Sequence, residues 1–318
     1  FVFIITHLKI SELISESFFF NFKYKTIFVN EGEGTKDFAT IDKIISELTF
    51  SECNRNSLVI GLGGGVISDI TGFIASIYMR GINHILIPTT LLGMVDAAIG
   101  GKTGINFSNK KNLIGTFKQP ENIYVDLFFL NSLDKKEVLN GFSEIIKYGL
   151  IYDKELFFDL VDNFNYLITL KDIDQIKNII IKCFRYKENV VAEDQFDEGK
   201  RMILNFGHTI GHALESYYKD KKISHGDAVY YGMIAESYIS YKMGLLEEDE
   251  YEKIDTFISS IPKFKIDSFN INELLNYIKM DKKQFSNKNR FILLNGIGNA
   301  IIKENIEIEI IREALNKI

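Results

Sequence analysis

Leu58-Val59-Ile60-Gly61-Leu62-Gly63-Gly64-Gly65-Val66-Ile67-Ser68-Asp69 decides the fold. An apolar run bounded by glycine is a buried strand. The glycines let backbone amides approach a ligand closely, and the helix that follows offers its positive end to an anion. The unit is a strand, a phosphate-cradling turn and a helix start. It is not the strict dinucleotide fingerprint, because the third glycine would fall at Val66. A tight packing turn is the plain alternative, and Asp69 also fits the first turn of a helix as a dipole partner.

Outward from this stretch the pattern repeats. Residues 2–6, 83–88 and 122–126 read as further short strands, and 38–48 and 67–79 as helices. Strands alternating with helices predict a parallel sheet covered by helices. Beyond residue 133 the period changes. Residues 136–151, 172–192, 204–218, 228–243, 248–260 and 272–279 read as helices, and 290–294 with 300–303 as a hairpin. The boundary falls near residues 130–135, giving an α/β domain over 1–133 and a mainly helical domain over 134–318.

Composition narrows the function. The chain has 318 residues, enough for two cores, with 46% hydrophobic residues. A net charge of -6 and a pI near 5.5 argue against nucleic acid as a partner. Two distant cysteines, Cys53 and Cys183, predict a reducing, cytoplasmic setting. Charges such as Asp69, Arg80 and Asp96 interrupt every apolar run, so no membrane span is expected. The apolar start, residues 1–6, has no signal-peptide character and reads as a strand whose upstream sequence is missing.

Three clusters carry chemistry. In the first, Pro88-Thr89-Thr90 leads to Asp96, Gly100-Gly101-Lys102-Thr103-Gly104-Ile105-Asn106 and Lys110-Lys111-Asn112. It reads as a loop with Lys102 embedded among small and apolar neighbours, where a charge must be paired or used. In the second, three of five histidines fall within 18 positions: His208 and His212, four apart on one helix face, and His225. Thr209 stands where a metalloprotease needs glutamate, which excludes that reading. Two histidines and a carboxylate would make a catalytic metal site, with the carboxylate left open by spacing. The third cluster offers one: Glu144 and Lys147, three apart in an apolar helix, are either a surface pair or a buried one.

Taken together and in order, these segments resemble the 3-dehydroquinate synthases among the sugar-phosphate cyclases. Gly63 to Asp69, Pro88 to Leu92, Gly100 to Asn106, Lys111 to Gly115, Glu144 to Gly149, Asn205 to His212 and His225-Gly226 carry the match over nearly the whole chain. The resemblance implies a Rossmann-like NAD-binding α/β domain and a helical metal-binding domain, with the active site between them. It implies zinc or cobalt bound by Glu144, His208 and His225. NAD is implied at Glu33, Lys36, Gly64, Gly65, Val66, Ile67, Ser68, Asp69, Thr89, Thr90, Phe129, Leu130, Asn131 and Ser132, with Lys102 and Lys111 between nucleotide and substrate. Arg80, Asp96, Lys102, Asn112, Lys147, Lys187, Arg201, Asn205, Lys282 and Lys283 are implied in substrate binding, Arg80 across a homodimer. His212, Lys147, Asp197, Lys102 and Asn205 are implied in catalysis.

The implied reaction takes a phosphorylated seven-carbon sugar acid through oxidation, loss of phosphate, reduction and an aldol closure. A related cyclase, a metal-dependent polyol dehydrogenase and a non-catalytic binding protein are the alternatives. Four features depart from the family pattern. His7 stands where an acidic residue usually meets the adenosine ribose, and a neutral imidazole accepts fewer bonds than a carboxylate. Gln195 and Asp197 replace glutamates, and residues 287–289 replace an expected glycine.

Overall fold

The computed structural model describes residues 1–14, 23–108, 110–221, 223–282 and 289–318. It divides into two compact units, Phe1–Val138 with Ile180–Glu188, and Leu139–Ile179 with Asn189–Ile318. The sequence boundary near residue 133 took no account of the stretch Ile180–Glu188, which lies inside a long helix yet groups with the first unit.

The first unit is built from strands β1 (Val2–Thr6), β2 (Tyr24–Phe28), β3 (Leu58–Gly63) and β4 (Asn83–Pro88), a hairpin of β5 (Lys102–Phe107) and β6 (Lys110–Phe117), and the short β7 (Asn122–Ile123). Five of them form a parallel sheet in the order β2-β1-β3-β4-β7. In its register Thr6 pairs with Leu62 and Gly63 with Pro88, which aligns the carboxyl ends where parallel sheets receive ligands. Helices α1 (Leu8–Leu13), α2 (Phe38–Phe50) and α3 (Gly65–Ile77) connect the strands. Ile41, Ile44 and Leu48 of α2 recur at helical spacing and join Phe3, Ile5, Val59, Ile67, Ile70 and Ile74 in one core. Asp37 starts α2 by accepting from the Thr40 amide.

Several expectations change here. The stretch after Pro88 is no plain loop. It winds through a π-helical turn at Gly93–Ala97 and then forms the β5–β6 hairpin. The hairpin hides from sequence periodicity because glycines sit at its crossing. A side chain on Gly115 would come within 2.1 Å of the Thr103 carbonyl oxygen. The strand expected over 122–126 shrinks to Asn122–Ile123. Strand β2 and helix α1 were not expected.

The second unit is helical. It holds most of α4 (Lys135–Ile151), then α5 (Lys154–Leu167), the ends of α6 (Ile173–Glu193), α7 (His208–Tyr217), α8 (His225–Lys242), α9 (Glu248–Ser260) and α10 (Ile271–Lys282). A hairpin of β8 (Arg290–Leu294) and β9 (Ala300–Glu304) and helix α11 (Ile308–Leu315) complete it. Helices α5 and α11 are additions to the expected set. The helix expected over 204–218 is broken into a 3-10 turn at Lys200–Asn205 and α7, because Gly207 takes a left-handed φ of 79°. Helix α8 is buried along nearly its whole length and is the axis of the unit. Its capping box, Ser224 with Asp227, starts it at His225. No described helix is long and apolar enough to cross a membrane.

Candidate active site

Helix α4 presents a nearly continuous buried surface, and Glu144 lies on it with 0% exposure. A buried carboxylate is costly unless paired or bound to a metal. Lys147, one turn on and equally buried, pairs with Oε2 of Glu144. Oε1 lies 3.4 Å from Nε2 of His208 and 3.4 Å from Nε2 of His225. Oε1 has no hydrogen-bond partner among the described residues. Local structure orients both imidazoles. Nδ1 of His208 donates to the Phe206 carbonyl at 3.0 Å, and Nδ1 of His225 lies 3.7 Å from Glu215. A lone pair on Nε2 of His208 therefore faces the carboxylate.

The three groups fit a divalent ion. Their ligand atoms all lie within 4.8 Å of one another. Ligands held tetrahedrally at ~2.1 Å from zinc stand ~3.4 Å apart, which matches both carboxylate–imidazole distances. Two nitrogens and a carboxylate oxygen are the donor set of a catalytic rather than a structural centre. The electrostatics agree. Burial pushes the Glu144 carboxyl up, but Lys147 and His208 outweigh it and hold the group well below the usual carboxylate range. Burial lowers His208. Burial also acts to lower His225, and the carboxylates of Glu144 and Glu215 reverse it, so that imidazole is raised.

Other second-unit residues surround these elements. His212 is exposed one turn along α7, its ring 5.4 Å from that of His208. Asn205 is half-buried and Arg201 buried in the preceding 3-10 turn. The loop before it is organised by Asp194, whose carboxylate accepts from the amides of Glu198, Gly199 and Arg201. Arg201 donates to the Gln195 carbonyl. Asp197 sits half-buried in this loop at a left-handed φ of 60°.

The first unit supplies a second constellation. Gly64 precedes α3, and Gly65 opens it. A side chain on Gly63 would meet Ile67 at 2.6 Å, and one on Gly64 would meet Thr90 at 3.0 Å, so the turn needs its glycines. Thr90 accepts from the Gly93 amide, and the Thr89 amide donates to Gly63. Lys36 is buried and donates to Asp69 at 2.5 Å and to Asn112, with Glu33 at 3.4 Å. Asn106 bridges the same groups, donating to Glu33 and accepting from the Asn112 amide. Burial pushes the Asp69 carboxyl up to about 6 against the pull of Lys36. Burial pulls Lys36 down, but the carboxylates of Asp69 and Glu33 leave it raised. Lys187 binds Asp96 through both its carboxylate and its carbonyl at 2.8 Å.

Other expected residues take surface or core positions. Lys102 is exposed at the start of β5, not embedded, because strand pairing turns it away from its apolar neighbours. Lys111 is exposed on β6. Arg80 is exposed beside Met79, and both hold positive φ, 64° and 49°. Phe129 and Leu130 are core residues of a 3-10 turn that leaves Asn131 exposed and ties Ser132 to the Phe129 carbonyl. His7 donates through Nδ1 to the Val29 carbonyl at 2.9 Å, leaving Nε2 as an acceptor. The side chains of Lys282 and Lys283 lie outside the described residues. Sequence reading missed Asn106 as a site residue, although it closes the quoted Gly-Gly-Lys-Thr-Gly-Ile-Asn segment. It also missed Asp194, whose signal is a local loop turn, and Glu215 and Glu236, whose signals are tertiary.

Fold and site together define a class of proteins with a parallel α/β unit carrying a glycine turn and a helical unit carrying a histidine–carboxylate cluster. Solved structures share this fold. The 2-epi-5-epi-valiolone synthase of Streptomyces hygroscopicus subsp. jinggangensis, with NAD+ and Zn2+ bound, matches at a TM-score of 0.90 and 25% identity, covering 99% of this chain and 89% of that one. A 2-deoxy-scyllo-inosose synthase complexed with carbaglucose-6-phosphate, NAD+ and Co2+ matches at 0.89 and 24%, covering 99% and 90%. Residues 26–140 match the 3-dehydroquinate synthase N-terminal family and residues 141–284 the 3-dehydroquinate synthase C-terminal family. The 3-dehydroquinate synthase of Dictyoglomus thermophilum is 42% identical over 315 residues, 99% of this chain and 88% of that protein. The chain belongs to the 3-dehydroquinate synthase family.

Proposed function

We propose that the chain works as its family does, as a metal- and NAD-dependent cyclase converting 3-deoxy-D-arabino-heptulosonate 7-phosphate to 3-dehydroquinate and phosphate. The overall sequence is oxidation, β-elimination of phosphate, reduction and intramolecular aldol closure. The carrying observation is the convergence of Glu144, His208 and His225 around one ion-sized space.

A zinc or cobalt ion held by these three side chains supplies Lewis-acid polarisation of the substrate's adjacent hydroxyls. NAD supplies reversible hydride acceptance. The chain's own residues bind, orient and handle protons. Glu33, Lys36, residues 64–69, Thr89, Thr90, Lys111 and residues 129–132 hold the dinucleotide, with the pyrophosphate at the α3 amides. Asp96, Asn112, Lys147, Lys187, Arg201, Asn205, Lys282 and Lys283 orient the substrate. Lys102 reaches between nucleotide and substrate, which its exposure permits. His212 and Lys147 exchange protons through a ring nitrogen and Nζ, with Asp197 and Asn205 as their partners. Much of the rate comes from positioning and fixed charge.

Arg80 serves the site of a second copy in a homodimer, a role consistent with its exposed, strained backbone. The enzyme works in the cytoplasm. The test is phosphate release from the heptulosonate phosphate. Chelator abolishes it, and zinc or cobalt restores it. Glu144→Ala loses bound metal and turnover together; full metal content in that variant would overturn the ligand assignment.

A further inference from the structure

Glu236 lies on α8 with 0% exposure, and no step of the reaction uses it. Each of its carboxyl oxygens accepts from a backbone amide. Oε2 accepts from the Gly207 amide at 2.7 Å, and Oε1 accepts from the Ile210 amide at 3.3 Å. These amides flank His208, the first residue of α7. A helix start leaves its first amides without partners, and a residue at the cap position normally supplies one. Gly207 occupies that position and has no side chain to offer. The neighbouring helix therefore caps α7 with a carboxyl group, the charge sign its positive end favours.

The packing makes this reach possible. Gly232 lies one turn before Glu236, and a side chain there would come within 1.8 Å of the Gly207 carbonyl oxygen. Gly211 meets Ala228 in the same way, at 3.2 Å. Helices α7 and α8 thus touch backbone to backbone, and a glutamate spans the gap. Ser240 donates to the Glu236 carbonyl and accepts from the Leu294 amide, which ties this part of α8 to β8. The turn that Glu236 grips also holds the Phe206 carbonyl that orients the His208 imidazole.

We propose that Glu236 is a positioning residue of the metal centre: it locks the residue 206–210 turn so that Nε2 of His208 faces Glu144 before any ion arrives. This rests on the reading of Glu144, His208 and His225 as a divalent-metal centre.

The test is cobalt binding to metal-free protein, measured by competition with a chelator, together with the cobalt absorption spectrum. Glu236→Ala should weaken cobalt ~10–100-fold, the scale for partners that orient metal ligands, and alter the spectrum. Glu236→Gln, which keeps the length and the acceptor for the Gly207 amide but turns an NH2 toward the Ile210 amide, should recover part of the affinity. Glu236→Asp, one methylene short, should not. Ile239→Ala on the same buried helix controls for general loosening, with melting temperatures measured for all four. Cobalt affinity of folded Glu236→Ala within twofold of wild type would overturn the proposal, as would an equal loss in Ile239→Ala at equal melting temperature. If Glu236→Ala does not fold, the Gln and Asp pair decides: equal affinities overturn it. Wild-type protein that binds no cobalt would overturn the metal reading as well, which separates the two failures.

Discussion

The two constellations solve opposite electrostatic problems. In the second unit, Glu144 is buried with Oε2 paired to Lys147, and its Oε1 faces two imidazole nitrogens at ligand spacing. Three ligand atoms there lie within 4.8 Å of one another. In the first unit, the ionic groups satisfy one another: Lys36 reaches Asp69, Asn112 and Glu33, while Asn106 closes the ring. A buried group whose partners are all protein supports shape. One whose lone pairs point at each other across a small gap supports binding of an ion.

The largest expected effect breaks the first half of this comparison. Glu144→Ala should lose cobalt affinity by ~100-fold or more, beyond the scale for outer partners, with turnover falling to background in the phosphate assay. Lys36→Met should behave differently. It should raise the KM for NAD and lower thermal stability by about 2 kcal/mol, the scale for breaking a charged hydrogen-bond network. Cobalt binding by the metal-free variant should stay unchanged. Loss of cobalt affinity in Lys36→Met would erase the distinction between the two sites.

Gly232→Ala should cost about 3 kcal/mol, because the added carbon meets backbone that cannot move aside cheaply. A denaturant melt measures it. Wild-type stability would mean that α7 and α8 part easily.

The smallest effects are in pH. His84 on β4 is buried with no hydrogen-bond partner on either nitrogen among the described residues, and burial, aided by Lys118, pulls it to about 4 from an ordinary 6.5. The unfolded chain takes up this proton first. The stabilisation is whole above pH 6.5 and is lost as pH falls through 4. Asp69, raised to about 6 from 3.8, works with the other sign. Its contribution is whole below 3.8 and is lost as pH rises through 6. His84→Phe should flatten the acid limb of a melting-temperature profile between pH 6.5 and 4. An unchanged acid limb would show that another group sets it.

Much of this was legible early. The run from Leu58 to Asp69 announced β3, the glycine turn and α3, because apolar continuity and glycine act locally. The pair Glu144 and Lys147 shared a face by helical spacing alone. The hairpin at Lys102–Phe107 was not legible, because its glycines serve a crossing between strands rather than a period within one. The exposure of Lys102 followed from that pairing, and composition around it pointed the wrong way.

The sequence by itself determined which side chains could share a helix face or a turn: His208 with His212, Glu144 with Lys147, and the amides after Gly64. Only the tertiary structure decided that Glu144 meets His208 and His225, that Asn106 joins Lys36, and that Glu236 caps a helix it does not belong to. Local spacing follows from the backbone's own repeat. Convergence of distant segments depends on which faces pack together, and that is set by burial summed over the whole chain.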